Sequence, residues 1–117
     1  MSVLGDIKNV LSIEPSVSAF DRELLFNING VFVTLYNLGI GVEKNEVLTP
    51  FNAEMYSDWS DLNCKSELPI VKNYVAFKVK QMFDPPASSA ASTSINECIK
   101  EYEWRIKTIH EREVTKT

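Results

Sequence analysis

A helical repeat that stops abruptly constrains this chain more than any other feature. Leu68, Val71, Val75, Val79 and Met82 recur at three- and four-residue intervals, flanked by Ile70, Tyr74, Phe77 and Phe83, and Asp84-Pro85-Pro86 follows at once. Apolar residues at that spacing share one side of an α-helix. Proline lacks the backbone N–H and cannot carry the helix on. The spacing predicts a helix that starts near Ser66, holds Pro69 in its first turn and ends at Asp84. Its stripe is wide, so this helix is expected at the centre of the fold.

Three other segments share the period. Val3, Leu4, Ile7, Val10 and Leu11 predict a short first helix, capped by Ser2 and limited by Pro15. Leu24, Ile28, Val31, Leu35 and Leu38, widened by Leu25 and Phe32, predict a second, with Ser18 as N-cap and Gly39 as a left-handed C-cap. Asp21 and Glu23 suit its positive end. Gly30 costs a helix about 1 kcal/mol against alanine, which points to close packing against a neighbouring helix. Ser94 and Glu97 form a capping box for a last helix carrying Ile95, Ile99, Tyr102, Ile106 and Ile109. Cys98 lies beside that stripe and is expected in the core, whereas Trp104 lies off it. Residues 87–93 read as a small-residue linker.

Between the second helix and the central one, Thr49-Pro50 predicts the start of a short helix over about 51–60, with Phe51, Met55 and Trp59 on one side. Gly39 to Leu48 reads as a long loop or a loose hairpin, and no convincing strand pair appears. The expected fold class is therefore all-α: a small bundle of three main helices plus two short ones, with a long loop in the middle. It forms one helical domain over residues 1–112, followed by a polar C-terminal tail, 113–117, frayed in the free monomer.

Composition narrows function mainly by exclusion. The 117 residues, 44% hydrophobic and 24% charged, fit a single globular domain. A net charge of −4 opposes bulk electrostatic gripping of nucleic acid. No apolar run approaches a membrane span, and Asp6 and Lys8 interrupt the N-terminus, so a secretory signal is not expected. Cys64 and Cys98 are too few for a disulfide framework and lack zinc-site spacing, with His110 the single histidine. Both are expected as free thiols in a reducing, intracellular setting. Cys98 and His110 lie about 18 Å apart along one helix, so these two form no nucleophile–base pair within a chain; Cys64 with His110 stays open but has no local support. The glycines match no phosphate-binding motif. Glu101 and Glu103 point apart and read as solvated. No catalytic residue, cofactor or metal is expected, and the chain is not read as an enzyme. Lys72, Lys78 and Lys80 read as the solvent side of a helix; a helical nucleic-acid-binding or interaction regulator is the alternative function. Trp104 beside Arg105 pairs two residue types that typically anchor interfaces.

The run Val71-Lys72-Asn73-Tyr74-Val75-Ala76-Phe77-Lys78-Val79-Lys80-Gln81-Met82-Phe83-Asp84-Pro85-Pro86, then Ser88-Ser89 and Glu103-Trp104-Arg105, resembles phage head–tail connector proteins of long-tailed phages. The resemblance covers about residues 66–107. It implies a structural virion protein of the neck, assembled in the host cytoplasm, which docks as a ring, commonly of twelve subunits, beneath the portal protein. Such a ring extends the DNA channel, passes DNA without sequence-specific binding, and presents a surface to the next neck or tail-completion protein. The expected partner interface comprises Tyr74, Phe83, Asp84, Trp104, Arg105, His110 and Arg112. Residues 105–117 are expected to dock onto the portal. A ring neighbour would also cover part of the wide stripe on the central helix. The acidic stretch 39–67, with six acidic and two basic residues, supplies Glu43 and Glu46 as candidates to face the channel.

Overall fold

The computed structural model describes residues 2–45, 47–64 and 67–115; the side chains of Lys44 and of residues 110–115 are outside that description. The chain runs α1 (Val3–Val10), α2 (Asp21–Asn37), a hairpin of β1 (Val42–Lys44) and β2 (Val47–Thr49), a 3-10 turn at Trp59–Asp61, α3 (Leu68–Phe83) and α4 (Ser89–Thr115). The fold is mainly helical but not all-α, because the Gly39–Leu48 segment closes as an antiparallel pair with Val42 opposite Thr49 and Lys44 opposite Val47. Tight geometry makes this possible: Gly39 takes φ 98°, Asn45 turns the hairpin at φ 54°, and a Cβ on Gly41 would stand 2.3 Å from the Thr49 carbonyl oxygen. Only glycine permits that approach.

α3 is the central helix. It packs against α2 on one side and α4 on the other, while α2 and α4 have little direct contact. Its Val71, Tyr74, Val75 and Val79 are buried against Leu24, Ile28, Val31, Phe32 and Leu35 of α2 and Ile99 and Ile106 of α4. The breadth of its stripe is thus mostly covered within the chain and needs no ring neighbour, although Met82 stays exposed.

The capping expectations divide. Ser2 caps α1 by accepting from the Gly5 amide at 3.1 Å, and Pro69 sits in the first turn of α3, where a missing N–H costs nothing. Ser18 does not cap α2, which begins at Asp21 after Phe20 with no side-chain cap. Ser94 lies inside α4. That helix starts five residues earlier, where the Ser88 hydroxyl accepts from the Ala91 amide at 3.1 Å. Residues 89–93 are therefore helical rather than linker, since serine and alanine tolerate a helix once a cap is available. Cys98 is exposed rather than core.

The short helix expected over 51–60 does not form. Side chains there bind the backbone instead: Asn29 of α2 accepts from the Ala53 amide at 2.9 Å, Asn52 accepts from Glu54, and Asp58 accepts from Ser60. These bonds offer the amides an alternative to helical carbonyls. Phe51 and Trp59 still reach the core, by turns rather than along a helical stripe, and each meets Phe32 edge-on with ring centroids 4.4 and 6.3 Å away.

Candidate interaction surface

Two regions position the side chains that matter. The first is the N-terminal corner. Lys8, 4% exposed, donates to the carbonyls of Pro15 and Val17 at 3.2 and 2.5 Å and pairs with Asp21 at 2.9 Å. A buried ammonium must be paired or it costs several kcal/mol, on the order of its desolvation. Lys8 therefore pins the α1–α2 connection to the start of α2. Nearby, the Trp59 indole N–H donates to Asp6 at 2.8 Å, and the Lys72 ammonium lies 5.6 Å from the indole centroid and 3.9 Å from the same carboxylate. Lys72 is thus tied into the fold, not free on a solvent face.

The second region is the flank of α3 and α4. Trp104 is 66% exposed. With Ile70, Arg105, Thr108 and Ile109 it lines a cavity of about 300 Å³. Arg105 pairs with Glu101 one turn back at 2.8 Å, both exposed, which is worth about 0.3–0.5 kcal/mol.

The expected interface residues do not all share this surface. Tyr74 is completely buried, and its hydroxyl donates to Glu103 at 2.9 Å. It can act on a partner only through α4. Glu103 is half-buried in that bond, not freely solvated. Burial, then the Glu103 carboxylate, holds the Tyr74 phenol well above its ordinary pKa. Phe83 is half-buried with its ring edge-on to Phe20 at 5.4 Å, which ties the end of α3 to the approach to α2. Asp84 is exposed at the C-cap of α3, 3.7 Å from Lys80. The backbone of His110 and Arg112 continues α4, but their side chains lie outside the described residues. Glu43 is exposed on β1; Glu46 lies outside the described residues.

Cys64 is buried, and desolvation followed by the Glu67 charge pushes its thiol up to about 12, so it holds its proton at neutral pH and is a poor nucleophile. Among the described residues, no group of three or more histidine, cysteine, aspartate or glutamate side chains is placed to hold a metal ion. No helix among them is long and apolar enough to cross a membrane.

One surface was missed from sequence. Phe26 and Val33 are 78% and 51% exposed, on the side of α2 away from Leu24, Ile28, Val31 and Leu35. Gly30 lies between them, and a Cβ there would meet no other element within 4 Å, so among the described residues the close helix packing expected at this glycine is absent. The signal was present: positions 26, 30 and 33 carry a second helical period, out of phase with the core stripe.

No curated protein and no solved structure matches the chain significantly. A family model does, over residues 3–113, and its description is phage connector protein. The match runs from the start of α1 to residue 113 near the end of α4 and extends well beyond the 66–107 stretch that carried the resemblance. With a helical body, exposed aromatic flanks and nearly the whole chain matched, the protein belongs to the phage connector protein family.

Proposed function

We propose that this protein is a structural component of the phage neck that docks as a ring onto the portal, extends the DNA channel and joins head to tail. The family match over residues 3–113 carries this reading. The exposed flank around Trp104 supports it, because Trp and Arg on an unpartnered surface are typical anchors for another protein. The partners are the portal, further copies of the chain, the next neck or tail-completion protein, and DNA that passes without sequence-specific contact. Its place is in the virion, after assembly in the host cytoplasm, and it needs neither cofactor nor catalytic residue.

Within this reading, Trp104, Arg105, Asp84 and the end of α4, including His110 and Arg112, form the side that meets other proteins, neighbouring copies included, while Glu43 and Glu46 face the channel. A like-charged wall lets DNA slide, and many copies multiply its field within the Debye length of about 8–10 Å. The direct test is to add the purified chain to portal-bearing, tail-less capsids and image the vertex. A ring beneath the portal is expected, and loss of attachment on deleting residues 110–117. A chain that never binds portal-bearing particles would overturn the reading. Replacing both Glu43 and Glu46 with lysine is expected to give a ring that holds duplex DNA with a steep salt dependence.

A further inference from the structure

The two apolar flanks lie at opposite ends of the row α2–α3–α4. α3 occupies the middle and covers the inner sides of both neighbours. Phe26 and Val33 project from the side of α2 away from α3, and Trp104 from the flank of α4 beside Ile70 of α3, each of the three more than half exposed. Gly30 sharpens the picture. In mid-helix it costs about 1 kcal/mol against alanine, it shows no left-handed φ, and among the described residues no other element comes within 4 Å of where its Cβ would stand. The notch it leaves between Phe26 and Val33 has no occupant among the described residues.

Charge is divided along the same axis. Residues 1–67 carry ten acidic and four basic side chains, and residues 68–117 six acidic and eight basic. The half containing α2 and the hairpin is therefore negative, and the half containing α3 and α4 positive. Two copies meeting like to like would repel, whereas the first half of one copy attracts the second half of the next. Together with two apolar patches that differ from each other, this favours a heterologous, head-to-tail contact over an isologous one.

We infer that the outer face of α2 in one copy, with Trp104 of the next copy seated in the notch at Gly30 between Phe26 and Val33, forms the contact between neighbouring subunits. This deepens the connector reading and rests on it for the assembly in which the contact occurs. It also assigns α2, outside the stretch that resembled a connector, a role in self-association.

Disulfide trapping tests it. In a Cys98→Ser background, with Cys64 buried, a Gly30→Cys chain is mixed with a Trp104→Cys chain and oxidised, both free at high concentration and on portal-bearing particles. A Ser16→Cys chain mixed with Trp104→Cys is the control, Ser16 being exposed in the α1–α2 connection. The Gly30–Trp104 pair is expected to cross-link at least tenfold faster than the control, and the double variant to give a ladder of covalent oligomers. As a check that needs no new thiol, Phe26→Ser is expected to weaken self-association at least tenfold while leaving thermal unfolding of the monomer unchanged. Cross-linking no faster than the control in both settings, a dominant Gly30–Gly30 product, or unaltered self-association in Phe26→Ser would overturn the inference. Portal attachment is scored separately, so a ring that forms without the Gly30–Trp104 product rejects this contact and leaves the connector reading standing.

Discussion

The two tryptophans stand at opposite extremes. Trp59 is 2% exposed, donates to Asp6, receives the Lys72 ammonium over its ring and meets Phe32 edge-on. Trp104 stands mostly in solvent beside an exposed ion pair. The same side chain serves the monomer in one place, while in the other it adds nothing that folding requires. Large aromatics gain most of their stabilising effect from burial, so a tryptophan left outside points to a surface completed by something else. Stability should therefore track the Trp59 region, and assembly the Trp104 region.

Mutations can break that division, and the largest effect is expected at Trp59. Trp59→Ala removes a buried ring and orphans part of the Asp6 and Lys72 arrangement; a loss of about 3–5 kcal/mol is expected, read as a lowered denaturation midpoint. An unchanged midpoint would mean that the N-terminal corner does not depend on its aromatic cluster. Lys8→Met comes next. It keeps the side-chain bulk but leaves two carbonyls and Asp21 without their donor. Since Asp21 remains partly solvated, the cost is expected at about 2–3 kcal/mol, measured by urea unfolding.

Tyr74→Phe is milder, about 1 kcal/mol at neutral pH, and carries a pH signature. The folded phenol titrates above its ordinary value, whereas in the unfolded chain tyrosine ionises near pH ~10. That contribution is complete below the unfolded value and lost as pH rises through and above it. Wild-type melting temperature should fall more steeply beyond that pH than that of Tyr74→Phe, and parallel curves would show that burial and the Glu103 bond do not hold the proton.

Trp104→Ala is expected to change monomer stability least, by under about 0.5 kcal/mol, with the circular-dichroism melt superimposing on wild type. Its effect should appear in attachment or self-association instead. A large loss of monomer stability would erase the contrast between the two tryptophans.

Much of this molecule is legible in its sequence, because helical periodicity is a local property. The stripes of α1, α2, α3 and α4, the left-handed Gly39 and the stop at Asp84-Pro85-Pro86 follow from spacing and from the conformational limits of glycine and proline. The connector resemblance at 66–107 also lay in the residue order, and the family match over 3–113 bears it out. Where the reading failed, distant partners made the decision. Asn29 redirects Ala53 from twenty-four residues away. Asn63 holds Gly41, donating its amide to the Gly41 carbonyl and accepting the Gly41 amide on its side chain, both at 3.0 Å, and so steadies a hairpin too short to announce itself. Lys8 is buried only because the connection at 12–20 turns back to offer it two carbonyls. Phe26 and Val33 stand on a second period that the sequence offered, and the packing of α2 on α3 decided which of its two periods was buried. A side chain's type and period are written in the chain, whereas its burial depends on what folds over it.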